Sequence, residues 1–405
     1  MRQQLASVIL ILLAGAGAEA QWPQWRGPNR DGVVATASVP AAWPEKATLK
    51  WKQEVGEGYS SPVVADGRVF VHSRRDPEEI VSAFDLASGN PVWTERYQSS
   101  FNKNQYAKEM SKGPFSTPLV ASGRVYTLGT SAVLTSFDAA TGAVKWRKDW
   151  SKEIDSSKMF TGTAMSPVID SGLLIVHVGD DTRGAFRAFD PLTGADKWVM
   201  AGHGPGYASP IIWTSGGARH LITMTDKAVV AVEVASGRLI WQIPFPDEWN
   251  ENIVTPVVAG DTLVISGIRK GTFGYRIEKT GTTWSPKQIW HNADLPMYMS
   301  SPVADGDYIY GFSSKRKGQM FCVDAKTGTA KWATEGRGGM NAAIQSAGGN
   351  LVMLTSEGEL IVAKRAPEKY EELRRYKVAE SQTWGHPVLL GTQLVMRDAS
   401  SIAVW

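Results

Sequence analysis

Short apolar runs separated by tight turns recur from residue 49 to the end of the chain. In the first unit, residues 62–65 and 68–72 flank Asp66-Gly67, a pair that favours a two-residue hairpin turn. Residues 80–85 and 91–97 add a third and a fourth run with the side-chain alternation of β-strands. The pattern therefore predicts a chain built from units of four short strands.

A turn motif repeats between the third and fourth strands of these units. In five copies an acidic residue lies eight positions before a Trp, and a Gly lies four positions before it. The acid can accept hydrogen bonds from N–H groups of the turn, and Gly adopts the positive φ that closes it. With a looser sixth copy and one Trp outside the units, the tryptophans of the pattern are Trp51, Trp93, Trp146, Trp198, Trp241, Trp290 and Trp332. Because one such hairpin cannot bury its own face, the units must stack on one another.

The number of units predicts an eight-bladed β-propeller. Six units open at a Ser-Pro or Thr-Pro step, a seventh opens near Asn341, and an eighth, from Trp384, has only three strands. Residues 49–55 form a strand with no unit of its own, so its pairing with the last unit would close the ring and remove both sheet edges. The predicted fold class is all-β, with eight four-stranded antiparallel blades in one propeller domain over residues 49–405.

The repeated A-x-D-x-x-T-G-x-x-x-W motif resembles the pyrroloquinoline quinone (PQQ)-type repeat of eight-bladed quinoprotein propellers. The W-P-Q-W-R-G-P-N-R-D-G stretch at residues 22–32 and the W-G-H-P stretch at 384–387 are similar to an exported bacterial group of PQQ-binding-like repeat proteins, related to the BamB-type outer-membrane assembly factor. The resemblance covers residues 22–405. It implies that each motif Trp wedges between neighbouring blades as a structural girdle.

The first 20 residues have the features of a cleaved signal peptide. Arg2 is followed by a short apolar core and by an A-x-A cleavage site that ends at Ala20. BamB-type factors are lipoproteins, whereas no Cys lies near this cleavage site, so we expect a periplasmic or secreted protein without a lipid anchor. No later stretch is apolar enough to predict a transmembrane helix.

Residues 21–48 are rich in Trp, Pro and Gly and are predicted to pack on the propeller as an N-terminal segment. Pro and Gly at this density disfavour regular structure, and Trp22 and Trp25 call for burial. Two roles stay open for this segment. It either crosses the body of the protein with its indoles filling a seam, or forms a ligand-binding loop.

Candidate binding residues come from the segments just before the innermost strand of each blade, since these segments rim one mouth of the central channel. Aromatic, amide and glycine residues concentrate there, as in a concave site with a few convergent polar groups. The candidates are Tyr59, Lys112, Phe115, His203, Tyr207, Asn252, Tyr298, Asn341, Gln382, Trp384 and His386. The alternative is that small and polar residues are simply what a crowded channel mouth accepts.

Composition excludes several classes of function. The net charge of +3 argues against a nucleic-acid binder, and the single cysteine, Cys322, lies in an apolar run typical of a buried thiol. The six histidines lack the spacing of a zinc site, and no nucleophile motif is present. Residues 250–252, Asn-Glu-Asn, offer oxygen ligands for calcium, but we favour a hydrogen-bonded loop because no other carboxylates are placed beside them. The sequence therefore predicts no catalytic residue and no metal ligand.

Two functions of different classes follow. The first is an exported, non-catalytic scaffold, BamB-like and monomeric, that binds envelope proteins or their peptide segments, or a small planar ligand. The second is a quinoprotein-type dehydrogenase with PQQ and calcium in the channel. Quinoprotein alcohol dehydrogenases add a pair of adjacent cysteines that a single cysteine cannot supply, so we favour the scaffold.

Overall fold

The computed structural model describes residues 21–35, 39–107, 110–155, 158–180 and 182–405. The predicted signal peptide lies outside the described residues. Eight separate β-sheets follow one another along the chain, and each contains four antiparallel strands that are neighbours in sequence or close the ring. The predicted eight-bladed propeller is therefore confirmed.

In blades one to seven the strands run from innermost to outermost in chain order, and in blade eight the outermost strand is residues 51–54. Short 3-10 helices at Gln105–Ala107 and Lys315–Lys317 lie in connections between strands. The strands of blades one to four are β3 (Val63–Ala65), β4 (Arg68–Arg75), β5 (Glu78–Asp85) and β6 (Pro91–Gln98); β7 (Leu119–Ala121), β8 (Arg124–Leu128), β9 (Val133–Asp138) and β10 (Val144–Asp149); β11 (Val168–Asp170), β12 (Leu173–Gly179), β13 (Gly184–Phe189) and β14 (Asp196–Ala201); and β15 (Ile211–Ser215), β16 (Ala218–Met224), β17 (Ala228–Glu233) and β18 (Leu239–Pro244).

The remaining four blades include the seventh unit, which opens near Asn341, and the eighth, which has only three strands of its own. Their strands are β19 (Val257–Ala259), β20 (Thr262–Gly267), β21 (Gly271–Thr280) and β22 (Thr283–Asn292); β23 (Val303–Asp305), β24 (Tyr308–Ser313), β25 (Gln319–Asp324) and β26 (Ala330–Ala333); β27 (Ala342–Ala347), β28 (Asn350–Thr355), β29 (Glu359–Lys364) and β30 (Glu372–Lys377); and β31 (Val388–Leu390), β32 (Gln393–Arg397), β33 (Ser401–Val404) and β2 (Trp51–Glu54). A short strand β1 (Val33–Val34) adds in parallel to the inner strand β27 of blade seven.

The ring closes as predicted from the three-stranded last unit and the unpaired strand at residues 49–55. Strand β2 pairs antiparallel with β33, in a register that sets Trp51 opposite Val404 and Glu54 opposite Ser401. The last blade thereby gains its fourth strand, and the edge that three strands would leave open is covered. Within the described part of the chain, no helix has the length and apolar character needed to cross a membrane.

The turn motif joins neighbouring blades. The indole N–H of Trp93, in blade one, donates to the Ala139 carbonyl in blade two at 3.0 Å. Its ring lies on Gly142, where a Cβ atom would come within 2.8 Å of the indole. Gly142 has φ +79°, so the residue meets both a conformational and a steric requirement. Asp138 accepts hydrogen bonds from the Thr141 backbone N–H and hydroxyl at 3.1 Å, as the motif predicts.

The indole hydrogen bond of this contact recurs around the ring. At the other junctions that show it, the indole N–H donates to the turn carbonyl of the next blade at 2.8–3.0 Å; the tryptophans are Trp51, Trp146, Trp198, Trp290 and Trp332. Trp241 is buried with its indole N–H unpartnered, because the turn of the next blade is replaced by the long β21–β22 hairpin. Trp284 in this hairpin packs edge-on against His220 of blade four, with ring centroids 4.8 Å apart.

Candidate functional site

The rim segments converge on a cavity at one mouth of the central channel. The cavity has about 770 Å³ of empty space, counting its open entrance. Five of the predicted residues lie on its wall, and none of its lining side chains carries a charge at neutral pH. The lining residues are Trp25, Tyr59, Met110, Phe115, Phe160, Thr161, Ala164, Ser166, Tyr207, Ser209, Ile253, Met299, Ser301, Asn341 and Trp384.

Aromatic side chains from opposite ends of the chain form one wall. Tyr59 stacks on Trp384 with ring centroids 5.3 Å apart, and Phe115 meets Tyr59 edge-on at 5.7 Å. Burial raises the pKa of Tyr59, which keeps its phenol neutral. On the other side, the Tyr207 hydroxyl accepts the Phe160 backbone N–H at 2.7 Å. Phe160 belongs to the long connection before blade three, so this connection forms part of the wall.

A belt of hydroxyl groups, interrupted in two places, lines the channel below this wall. The backbone N–H of the residue before the inner-strand proline donates to the hydroxyl of the corresponding residue in the next blade. Such links run from Ser61 to Thr117 (3.1 Å), Thr117 to Ser166 (3.0 Å), Ser166 to Ser209 (2.9 Å), Thr255 to Ser301 (3.0 Å) and His386 to Ser61 (2.8 Å). The sequence marks these Ser-Pro and Thr-Pro steps as unit boundaries, but their role as a belt depends on the ring and was not predicted.

The N-terminal segment fills the channel beneath the cavity. Trp22 pairs with Val64 of blade one, and the Pro23 carbonyl accepts the Val120 N–H of blade two at 2.8 Å. Trp25 donates its indole N–H to the Thr255 hydroxyl of blade five at 3.3 Å, and its ring meets His386 of blade eight at 4.6 Å. The Trp25 ring is thus part of the cavity floor.

Two fully buried arginines connect this segment to further blades. Arg30 donates to the carbonyls of Pro210, in blade four, at 2.6 Å and of Pro167, in blade three, at 2.9 Å. Arg26 donates to the Pro302 carbonyl of blade six. Ser346 of blade seven donates its N–H to the Gly32 carbonyl at 2.9 Å. Residues 22–34, here called the axial segment, therefore contact every blade.

Burial perturbs the charge of both guanidinium groups. Desolvation lowers the pKa of Arg26 to about 10 and that of Arg30 to about 9, and repulsion from Arg26 adds to the effect on Arg30. Within the described ranges neither arginine forms an ion pair with a carboxylate. The Nε and Nη1 atoms of Arg26 are buried without a hydrogen-bond partner. Both side chains stay charged at neutral pH, so the channel interior carries positive charge.

Three predicted residues are buried and packed. The Asn252 amide donates to the Thr225 and Phe245 carbonyls at 2.8 and 2.9 Å. His203 Nδ1 lies 3.2 Å from the Thr225 hydroxyl. His386 lies below the floor against Trp25, and burial, together with the charge of Arg26, holds its pKa well below its usual value.

The other predicted residues lie around the entrance. Tyr298 borders a neighbouring depression and donates to the Glu251 carboxylate at 2.5 Å. Lys112 forms an ion pair with Asp76, and the Gln382 carbonyl accepts the Trp384 indole N–H at 3.2 Å. These contacts place Tyr298, Lys112 and Gln382 beside the cavity and not on its wall.

The residues of the channel mouth do not fit calcium-bound PQQ. Among the described residues, no three His, Cys, Asp or Glu side chains come together as a possible metal site. Glu251 accepts from Tyr298 and pairs with Arg269 at 3.0 Å, and the Asn252 amide is engaged by carbonyls. Oxygen ligands for calcium are therefore not assembled beside the cavity, since calcium takes six or more of them.

Comparison with known proteins identifies a family and a fold. A family model described as outer membrane protein assembly factor BamB matches residues 30–100 and 77–334. The chain is similar to the outer membrane protein assembly factor BamB of Shewanella oneidensis, at 25% identity over 323 residues, 74% of this chain and 72% of that protein.

Solved structures share the architecture at low identity. The structure of BamB from Moraxella catarrhalis aligns with a TM-score of 0.62 and 16% identity, over 88% of this chain and 99% of that one. The structure of quinohemoprotein alcohol dehydrogenase from Comamonas testosteroni aligns with a TM-score of 0.67 and 13% identity, over 96% and 81%. These likenesses show the propeller fold alone.

Proposed function

Because the chain belongs to the family described as outer membrane protein assembly factor BamB, we propose that it is a non-catalytic propeller scaffold that binds extended segments of envelope proteins at the channel mouth. The observation that carries the proposal is the chemistry of that mouth. Its wall is aromatic, its lining side chains are uncharged, and its floor is blocked by the axial segment. Such a surface suits the binding of apolar side chains from a chain that lies across the entrance.

The proposal includes a cellular location. Relatives named as outer membrane assembly factors support an envelope protein, and the predicted signal peptide supports export to the periplasm. We further propose that it acts as a monomer.

Binding by the mouth is tested with a double variant. The probe is a urea-unfolded outer-membrane β-barrel protein diluted into buffer, and the measurement is its Kd for the folded propeller. Replacing Tyr207 and Trp384 with Ala is expected to weaken binding by at least about tenfold, because each aromatic face contributes on the order of 1 kcal/mol or more.

A matched control removes aromatic surface elsewhere on the rim. Tyr106 and Trp249 are exposed and meet edge-on at 6.1 Å, outside the cavity wall. Their double replacement with Ala should leave the Kd within about twofold of the parent, since exposed side chains outside the buried centre of an interface contribute little. Full retention of binding in a folded Tyr207 and Trp384 variant would move the site away from the mouth.

The dehydrogenase alternative has a direct test. Purified protein is mixed with PQQ and calcium and examined by ultraviolet–visible spectroscopy and native mass spectrometry. The missing oxygen ligands predict no stoichiometric complex. A retained quinone spectrum with a one-to-one mass would overturn the scaffold proposal.

A further inference from the structure

The channel-mouth cavity is a dead end. The axial segment occupies the channel beneath it, and Trp25 of this segment forms part of the floor. An extended polypeptide therefore cannot thread through the propeller. A ligand that reaches the floor enters by a side chain or by a chain terminus, or is itself small.

The lower wall of the cavity offers hydrogen-bond donors. Ser166, Ser209 and Ser301 line the cavity, and their side-chain oxygens accept one belt N–H each. In the part of the chain that the structure describes, none of these three hydroxyls donates a hydrogen bond to a protein group. All three residues are buried, so each carries an unused O–H donor beside the cavity.

A fourth donor lines the same cavity. The side-chain carbonyl of Asn341 accepts the Ser300 hydroxyl, and among the described residues its NH₂ group donates to no protein group. Asn341 also lines the cavity. The lining contains no Asp or Glu side chain that could use any of these donors. No carboxylate of the cavity lining therefore competes with a ligand for these donors.

The charge beneath the floor has the matching sign. Arg30 donates to the Ser166 carbonyl at 3.3 Å and to the carbonyl of Pro210, the residue after Ser209. Arg26 donates to the carbonyl of Pro302, the residue after Ser301. Asp31, whose carboxylate accepts the Val33 N–H at 2.9 Å, offsets part of the Arg26 charge, and with Arg30 the three groups keep a net positive charge. Both guanidinium groups therefore bind main-chain carbonyls of a donor serine or of the proline that follows one, and their positive charge favours an anion in the cavity.

We infer that this cavity binds a carboxylate carried on an apolar or aromatic group. The hydroxyls of Ser166, Ser209 and Ser301 receive the carboxylate oxygens, while the wall of Tyr59, Phe115 and Trp384 receives the apolar group. The inference rests on the proposed function, because it takes the same mouth as the site and specifies what enters it. The carboxylate comes either from the end of a polypeptide or from a small free acid.

Three probes separate these possibilities. They are an N-acetylated apolar tetrapeptide that ends in Phe with a free carboxylate, the same peptide as its C-terminal amide, and 3-phenylpropionate. Titration calorimetry measures each Kd. The free-acid peptide is expected to bind at least about tenfold more tightly than the amide, as hydrogen bonds to a charged group are stronger than those to a neutral one.

A serine pair provides the matched variants. Ser209→Ala and Ser301→Ala should each weaken binding of the free acid by about tenfold and leave the amide nearly unchanged. Ser61 accepts the same kind of belt bond but does not line the cavity, so Ser61→Ala controls for loss of the belt link alone. It should leave the affinity for the free acid unchanged.

The outcomes are distinguishable. If the peptide acid binds tightly and 3-phenylpropionate does not bind, the carboxylate belongs to a chain terminus. If both bind with comparable affinity, the cavity also accepts small free acids. Equal affinity for the acid and the amide, or no binding of either, overturns the inference. The proposed function would survive that result if the unfolded envelope protein still bound through Tyr207 and Trp384.

Discussion

The same Trp contact is repeated at most junctions between neighbouring blades. On the propeller axis, by contrast, the axial segment makes a different contact with each blade. Each regular junction places a Trp ring on the turn Gly of the next blade and joins the indole N–H to a turn carbonyl, as for Trp93 and Gly142. The axial segment uses side chains of different kinds, such as Trp22, Trp25 and Arg30, to reach different blades. The junctions are therefore local and independent, while the axis couples all eight blades.

The largest expected effect comes from removing the axial segment. A chain in which residue 35 directly follows the signal peptide should lose more than about 5 kcal/mol in free energy of unfolding. Buried Trp22 leaves a cavity, and the inner-strand carbonyls of Pro167, Pro210 and Pro302 lose their donors. Urea unfolding measures the loss.

A control for this truncation keeps the segment intact. Asn29 is exposed, so Asn29→Ala should melt within about a degree of the parent. If the truncated protein has the same urea midpoint as the parent, the axis does not couple the blades and the comparison fails.

The next largest effect is expected from removing the Trp at a single junction between blades. Replacing Trp146, Trp198 or Trp241 with Ala should cost roughly 3 to 5 kcal/mol each, as for a large aromatic side chain removed from a core. Exposed Trp249 is the control, and its replacement should change stability by no more than about 0.5 kcal/mol. Since the junctions are local, Trp146→Ala and Trp241→Ala combined should add within about 0.5 kcal/mol. Normal melting of these variants would contradict a structural role.

The stability of the protein should depend on pH through a histidine buried inside a blade. His177 in blade three stacks on Phe186 at 3.8 Å, and burial lowers its pKa to about 4 from the usual 6.5. Between these pH values the unfolded chain binds a proton that the folded chain does not, so stability falls as pH falls, by about 3 kcal/mol in all.

The variant His177→Gln tests the assignment. It should remove this part of the slope between pH 6.5 and 4, measured by urea unfolding at several pH values. Glu79 in blade one, whose pKa is about 2, contributes stability that is lost at lower pH, between about 4.5 and 2. An unchanged slope in the variant would assign the acid sensitivity to other groups.

The smallest effect concerns a pair of glycines in blade two. Gly142 and Gly123 both have positive φ, but a Cβ atom at Gly142 would meet the Trp93 ring, whereas at Gly123 nothing lies within 4 Å. Gly123→Ala should therefore cost about 1 kcal/mol for backbone strain alone, and Gly142→Ala about 1 to 2 kcal/mol more. Equal melting midpoints would show that the ring contact adds nothing.

The sequence could predict the repeated part of this molecule because its signals are local. The spacing of Asp138, Gly142 and Trp146 predicts a turn and the position of an indole. The number of strands in the last unit predicts that the strand at residues 49–55 closes the ring. Part of the cavity wall could also be predicted from the sequence, because Tyr59 and Trp384 precede inner strands that ring closure brings together. Whether these residues bind a ligand stays a prediction.

The axis could not be predicted in the same way. Arg26 and Arg30 bind main-chain carbonyls, and no side-chain pattern marks those partners. The belt left a visible signal, a hydroxyl residue before the proline of six units, but its meaning depends on the distance between neighbouring inner strands. Asn252 and His203 share the composition of a site, yet their polar groups are used within the protein.

The axial segment also sets a limit on how such a ring can change size. A duplicated blade would bring its own turn Trp, Gly and belt hydroxyl, and so would satisfy both of its neighbours. It would also widen the channel, and Arg26, Arg30 and Trp25 would no longer reach Pro302, Pro210 and Thr255 together. The turn motif is repeated from junction to junction and does not by itself fix the number of blades. The thirteen residues of the axial segment contact all eight blades, so their contacts fit a ring of this circumference.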